Sequence, residues 1–225
     1  MKLYDFCGEW KEPIYVISDP HFDDFDCKMM KPNWISPEEQ VKKINSKVGK
    51  NGTIVILGDV GNIEWVKKLK GYKVLITGNH DKGASNYLKE IKLEVFACED
   101  QAKEFTKSLD PKWNFKRCNP LFNRGETVYF VEYNNGLFDE VYDGPLFAGP
   151  NLLLSHEPID IPFGINIHGH RHNHPFITRQ DENSYSVNVA ADVVNFEPQR
   201  LKELYSIQTI KDIHRLTIDR HIDTK

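Results

Sequence analysis

Thr53-Ile54-Val55-Ile56-Leu57-Gly58-Asp59 is an apolar run that stops at a turn pair and delivers a carboxylate. A run this short, β-branched and free of polar interruptions reads as a strand buried on both faces. On its N-terminal side, Ser36-Pro37-Glu38-Glu39 opens a helix, with Ser36 as N-cap, Pro37 at the first helical position and Glu39 completing a capping box. Val41, Ile44 and Val48 recur at helical spacing, and Lys50-Asn51-Gly52 turns the chain into the strand. Before that helix, Ile14-Tyr15-Val16-Ile17-Ser18 is another apolar run, ending in Asp19-Pro20-His21. On the C-terminal side, Asn62 caps a short helix striped by Ile63, Val66 and Leu69, and Gly71 stops it. Lys73-Val74-Leu75-Ile76-Thr77 then runs into Gly78-Asn79-His80-Asp81. The order is β-α-β-α-β, which predicts a parallel sheet with helical crossovers. Ligands of such sheets bind beyond the carboxyl ends of the strands, where all three polar motifs fall.

The rest of the chain is less regular. Phe22 to Asn33 is polar and turn-prone, and no role is assigned to it. Between Ala84 and Pro120 the pattern predicts a helix near Ser85–Ile91, a strand near Leu93–Ala97 and a helix near Asp100–Leu109. Thr127–Tyr133, Asn134-Asn135-Gly136 and Leu137–Tyr142 read as a hairpin with an Asn-Gly turn. Antiparallel strands are expected to lead from there to Ser155-His156-Glu157-Pro158 and to Gly169-His170-Arg171-His172. Ser186–Ala190 reads as a further strand. Pro198 opens a helix with Leu201, Leu204 and Ile207 on one face, and a charged surface segment follows to Lys225. Without a repeat or a low-complexity linker, residues 1–225 read as a single domain.

With 40% hydrophobic and 28% charged residues, the chain can form a packed core. A net charge of −4 provides no global field for nucleic acid or anionic membrane. The start of the chain, Met1 to Trp10, has no apolar core of a signal peptide, and no run is long enough to span a bilayer. Cys7, Cys27, Cys98 and Cys118 form no paired motif, which suits reduced thiols in a cytoplasmic protein.

These three apolar runs, Asn151-Leu152-Leu153-Leu154-Ser155 before His156 and the short run ending at Ile167 before His168-Gly169-His170 share one property: each ends in oxygen or imidazole donors. Asp19 and His21 stand two apart and can share a face. Gly78 permits a tight exit before Asn79, an uncommon metal ligand. His168, His170, His172 and His174 alternate, and of the nine histidines only His214 and His221 lie away from these motifs. Carboxylate, carboxamide and imidazole suit Mn²⁺, Fe or Zn²⁺. The donors are too many for one tetrahedral ion and suit two ions sharing a carboxylate.

In joint order, DxH, GD, GNHD, a lone histidine after an apolar strand, and GHxH, the chain resembles the calcineurin-like metallophosphoesterase superfamily, closest to its small bacterial and phage-type members. The resemblance runs from residue 14 to about 205, with a poorly matching variable segment at about 84–126. It implies an α/β fold, a four-layer αββα sandwich of two mixed β-sheets flanked by helices. It implies two divalent ions, Mn foremost, with Fe, Zn or Ni as alternatives. Asp19, His21 and His172 would hold the first, Asn79, His156 and His170 the second, and Asp59 would bridge them. The implied enzyme is a metal-dependent phosphoric ester hydrolase in which a metal-bridging hydroxide attacks phosphorus. His80 would be the catalytic acid, and Arg171 a substrate contact.

One departure bears on substrate. In the phosphoprotein phosphatase branch, an Asp and an Arg occupy the positions held here by Asn62 and Ile63, and the Arg grips a phosphate monoester dianion. Their absence points to a phosphodiesterase acting on a nucleotide-type or small organic diester. The alternatives are a phosphomonoesterase or nucleotide pyrophosphatase, then a nuclease or a non-catalytic scaffold. No membrane partner and no strong nucleic-acid signal are expected.

Overall fold

The computed structural model describes residues 10–31, 34–123, 126–149, 151–162, 164–179 and 184–204. The first strand, β1 (Ile14–Ile17), leads to a short helix, α1 (Phe25–Met30), and a longer one, α2 (Pro37–Val48). β2 (Thr53–Ile56), a 3-10 helix (Ile63–Lys68) and β3 (Tyr72–Ile76) follow. A second 3-10 turn (Ala84–Tyr87) precedes β4 (Ile91–Phe96), α3 (Glu99–Ser108), β5 (Asn114–Asn123) and β6 (Glu126–Asn134). The chain returns through β7 (Glu140–Tyr142), β8 (Leu146–Gly149), β9 (Leu152–Leu154), β10 (Ile165–His168), β11 (Ile177–Arg179) and β12 (Tyr185–Asn188). It ends in β13 (Gln199–Arg200) and α4 (Leu201–Leu204).

These strands make two five-stranded mixed sheets, β13-β1-β2-β3-β7 and β11-β12-β10-β9-β8. In the first, β1, β2, β3 and β7 are parallel and only β13 runs against its neighbour. In the second, the parallel trio β9-β10-β12 is bordered by antiparallel β8 and β11. Every residue of β2, β9, β10 and β12 is buried, and β2 and β9 accordingly read as apolar runs, while β10 and β12 also bury Asn166, His168, Ser186 and Asn188. Ile54, Ile56 and Leu75 of the first sheet share one core with Leu154, Ile167 and Val187 of the second. The sheets are stitched at their ends: Ser18 N–H donates to Val189 O at 2.9 Å, and Ala191 N–H to Ser18 O at 2.8 Å.

Helix α2 forms as its sequence predicts. The Ser36 hydroxyl accepts from Glu39 N–H at 3.3 Å, Pro37 starts the helix, and Val41, Ile44 and Val48 are buried. The second helix of the opening pattern is 3-10 rather than α, capped by Asn62 as expected. The helix, strand and helix read in the middle segment appear as the 3-10 turn, β4 and α3.

Four expectations are corrected. Residues 127–142 are not a hairpin: β6 pairs antiparallel with β4 and β5 in a separate three-stranded sheet, while β7 joins the first sheet parallel to β3. The antiparallel partner that precedes β6 in the chain is β5, with Asn123 opposite Glu126. β8 and β9, which lead to His156, pair antiparallel as expected, but β10, which leads to His170, runs parallel to β9 rather than antiparallel. Pro198 precedes the edge strand β13 before helix begins at Leu201. The stretch 22–33, read as a turn, contains α1, whose N-cap Asp24 accepts from Asp26 and Cys27 N–H. The predicted continuation through Ile207, the charged segment to Lys225, His214, His221 and Cys7 lie outside the described residues.

Residues 91–134 form their own unit. Helix α3 covers one face of the β4-β6-β5 sheet, and Ala102, Val131 and Tyr133 make a small core with Phe96, Phe105 and Trp113.

Candidate metal centre

The carboxyl ends of β1, β2, β3, β9 and β10 carry Asp19, Asp59, Asn79, His156 and His170 to one place. Their backbones are held in an unusual shape. Asp19, His21, Asp59 and His170 have φ of 54°, 40°, 54° and 65°, a left-handed conformation uncommon for residues with a Cβ. Such strain costs on the order of 1–3 kcal/mol per residue and persists only where surrounding bonds over-determine it. Here they do. Asp19 N–H donates to Gly58 O at 3.1 Å, His21 N–H to Asp59 O at 3.1 Å, and His170 N–H to Asp19 Oδ2 at 2.8 Å. Asp81 ties two loops together, accepting from Asp59 N–H at 2.8 Å, Val60 N–H at 3.0 Å and Gly78 N–H at 2.8 Å.

The side chains fall into two donor groups. Asp19, His21 and His172 form the first, and Asp59, His156 and His170 the second, with donor atoms in each group within 4.8 Å of one another. In the first, Asp19 Oδ1 lies 3.9 Å from His21 Nε2 and 3.7 Å from His172 Nε2. In the second, His156 Nε2 lies 2.8 Å from Asn79 Oδ1, 3.1 Å from His170 Nδ1 and 3.4 Å from Asp59 Oδ2. Asp59 Oδ2 is also 3.7 Å from His21 Nε2, so one carboxylate oxygen faces both groups.

Three observations test whether cations fit. Asp19 Oδ1 is buried with no hydrogen-bond partner, a costly state for a carboxylate unless a cation occupies the space before it. His156 Nδ1 lies 2.9 Å from Leu57 O, which can only accept, so Nδ1 carries the proton. That leaves the Nε2 lone pair aimed at Asn79 Oδ1 and Asp59 Oδ2, acceptor against acceptor. Lone pairs converging in this way are an arrangement that a cation resolves. The donors are carboxylate, carboxamide and imidazole, which suit borderline divalent ions.

The outer nitrogens of these rings are anchored, which orients the inner ones. His21 Nδ1 is 3.1 Å from Asp24 Oδ2, and His172 Nδ1 is 2.8 Å from Asp192 Oδ1. Lys31 Nζ bonds the other Asp192 oxygen and donates to His172 O at 3.0 Å. The hydrogen bond that His172 donates to Asp192 raises the His172 pKa against the opposing effect of burial. Burial resists the charge of Asp192, but its bonds to His172 and Lys31 outweigh that and hold its pKa low. Burial raises the Asp19 pKa above the ordinary carboxylate value, with the nearby histidines pulling the other way.

The remaining sequence candidates lie at the rim or apart. His80 is well exposed, with Nε2 4.0 Å from Asp59 Oδ2 and its ring 5.8 Å from that of His21. Arg171 is exposed between two ligand candidates, and its carbonyl accepts from Asn188 Nδ2 at 2.6 Å. The four alternating histidines separate: His170 and His172 face the centre, His174 is exposed, and His168 is buried with Nε2 2.6 Å from Ser186 Oγ. A third cluster, His21, Asp24 and Cys27, meets the same spacing. Burial, then neighbouring carboxylates, push the Cys27 thiol up to about 12.

Sequence reading missed Asp24, Asp192 and Lys31. Asp192 had a usable signal, since it follows the strand Tyr185–Asn188 as the other acidic donors follow theirs. Asp24 and Lys31 had none, lying in the stretch without periodicity.

The profile of the calcineurin-like phosphoesterases matches residues 12–198. The chain belongs to this family, whose members are metal-dependent phosphoester hydrolases, and its two donor groups are candidate sites for the divalent ions the family uses. A protein of unknown function, AQ665 from Aquifex aeolicus, has a similar structure: 20% identity, TM-score 0.51, with 85% of this chain and 96% of that one covered. The nuclease MPE from Pseudomonas putida is similar at 15% identity and TM-score 0.42, over 79% of this chain and 74% of that one. No curated protein matches the sequence. Among the described residues, no helix is long and apolar enough to cross a membrane.

Proposed function

We propose that this chain is a two-metal phosphodiesterase acting on a nucleotide-type or small organic phosphodiester in the cytoplasm. The observation that carries the reading is Asp59 Oδ2 facing His21 at 3.7 Å and His156 at 3.4 Å, one oxygen between two donor groups. Asp19, His21, His172 and Asp59 would hold one ion, and Asn79, His156, His170 and Asp59 the other. The donor set suits Mn²⁺ first, with Fe, Zn²⁺ or Ni²⁺ as alternatives. A bound pair supplies charge neutralisation and a nucleophile near neutral pH.

The chain's own residues do the rest. Asp24 and Asp192 hold the His21 and His172 rings so that their Nε2 atoms face inward. His80, exposed beside Asp59, donates a proton to the leaving oxygen. Arg171 reaches substrate from the rim. Preference for a diester rests on the place where a dianion would be gripped. There Asn62 is committed, accepting from Glu64 N–H at 3.1 Å and donating to Asp23 at 3.2 Å, and Ile63 packs against the core. Neither provides the cation that a monoester dianion demands. Free thiols at Cys27 and Cys98 suit a reducing compartment.

The test is hydrolysis of an aryl phosphodiester against its monoester with Mn²⁺, subtracting a chelated control. Faster metal-dependent diester cleavage is expected. Faster monoester cleavage would transfer the assignment to a phosphatase. Metal binding without cleavage of either would favour a scaffold or a highly selective enzyme. Asp59→Ala should abolish turnover, and retained activity would remove the two-metal reading.

A further inference from the structure

Strand β4 is an edge strand: in the order β4-β6-β5, no described residue pairs with its outer side. Its sequence is Ile91-Lys92-Leu93-Glu94-Val95-Phe96. Ile91, Leu93 and Val95 lie on one face and are 57%, 57% and 59% exposed. Phe96 points the other way, into the small core under α3, and Lys92 lies on that same face over the Trp113 ring at 4.6 Å. Natural sheets guard such edges with prolines, bulges or repelling charges. β4 has no proline, and its pairing with β6 runs through all six residues without a bulge. Its two charges are opposite in sign and sit symmetrically about Leu93.

We propose that β4 pairs antiparallel with β4 of a second copy of this chain, across a twofold axis at Leu93. Backbone direction, charge and side-chain character select this register. Asn135 N–H donates to Glu90 O at 3.3 Å, so Glu90 turns its carbonyl toward β6. Alternation along an antiparallel strand then aims the N–H and C=O groups of Ile91, Leu93 and Val95 outward. Registers that pair these residues with one another therefore satisfy the free edge. With Leu93 opposite Leu93, Ile91 meets Val95 on one face and Lys92 meets Glu94 on the other. A shift of one pairing step either way sets Lys92 against Lys92 or Glu94 against Glu94. Opposite charges across a strand pair stabilise, and like charges oppose pairing. The strand is thus self-complementary in one register and disfavoured in the next. In that register the apolar row continues onto Phe130, which lies opposite Val95 on β6.

A six-residue edge buries less than the roughly 1,200–2,000 Å² of a stable interface. The dimer should therefore be concentration-dependent, with a dissociation constant on the order of 1–100 µM. Sedimentation equilibrium of the full chain tests this. Wild type should pass from monomer to dimer over that range. Lys92→Glu and Glu94→Lys should each weaken association at least tenfold, and the double exchange should restore it. Leu93→Cys, in a Cys98→Ser background, should form an intermolecular disulfide on mild oxidation, because the two residues 93 face each other across the axis. All these positions are exposed, so circular dichroism should be unchanged. A wild type that stays monomeric throughout, a dimer indifferent to Lys92→Glu, or a failure of residue 93 to cross-link would each overturn the proposal. So would slow amide exchange at 91, 93 and 95 in a monomer, which would show that the chain covers its own edge.

Discussion

At the residue scale, the rings of the candidate ligands His21 and His172 are held by carboxylates at their outer nitrogens. Asp192 holds the His172 ring by Nδ1 and is itself held by Lys31. Losing such an outer partner typically weakens metal affinity about 10–100-fold. Asp192→Asn should therefore raise the Mn²⁺ dissociation constant by that factor in calorimetry while the fold persists. An unchanged affinity would show that His172 needs no outer support. His168 makes a separate prediction. Burial lowers its pKa to about 4, partly offset by its bond to Gly169 O. Its folded pKa lies below the unfolded value of about 6.5, so the unfolded chain binds the extra proton. Stability then falls as pH drops from about 6.5 toward 4, by about 3 kcal/mol from this residue. Urea unfolding with chelator present should show that loss in wild type, and a loss smaller by about that amount in His168→Asn. Equal losses would contradict a neutral buried histidine.

At the element scale, the site is built where strands stop, and glycines allow the ends to meet. A Cβ on Gly169 would lie 1.9 Å from Ser18 Oγ and 2.1 Å from Asp19 Oδ2. Neither can retreat, because Ser18 is fully buried and bonds Leu57 O, while Asp19 Oδ2 holds His170 N–H. Gly169→Ala must displace Asp19, and a shift near 1 Å costs turnover about 10²-fold. The expected result is a variant with native circular dichroism, weakened metal binding and about a hundredfold lower turnover; wild-type turnover would contradict the close approach. The same geometry explains what could be read from sequence. The motifs at Asp19, Asp59, Asn79, His156 and His170 were legible because a buried parallel strand is a mostly apolar run, and its end is a fixed place. Helix α2 was legible through Ser36, Pro37 and its stripe. The 127–142 segment was not, because Asn135-Gly136 has hairpin chemistry but Asn134 Oδ1 accepts from Gly136 N–H and Asn135 Oδ1 from Leu137 N–H. Those local bonds carry the chain from the small sheet to the large one. Whether neighbouring strands join one sheet or two depends on tertiary packing, which strand periodicity does not encode.

At the scale of the whole molecule, the chain has two cores of unequal strength. The main core draws fully buried Ile54, Ile56, Leu75, Leu154 and Ile167 from both large sheets. Among the described residues, the buried hydrophobic side chains of the unit at 91–134 are Ala102, Val131 and Tyr133, with half-buried aromatics around them. All described residues of β4 but Phe96 are exposed. Local opening follows buried apolar contact, so the smaller core should open at lower free energy than the larger. Amide exchange should be faster in β4 and β6 than in β2, β3 and β10. None of the donors to the candidate metal centre lies between residues 91 and 134, so added Mn²⁺ should slow exchange around the strand ends of the large sheets and leave β4 and β6 nearly unchanged. Ala102→Asp would place an unpaired charge in the small core. It should speed exchange across 91–134 while metal binding stays within a factor of about two, since distant sites are nearly additive. Loss of metal binding in that variant would mean that the two cores fold as one cooperative unit.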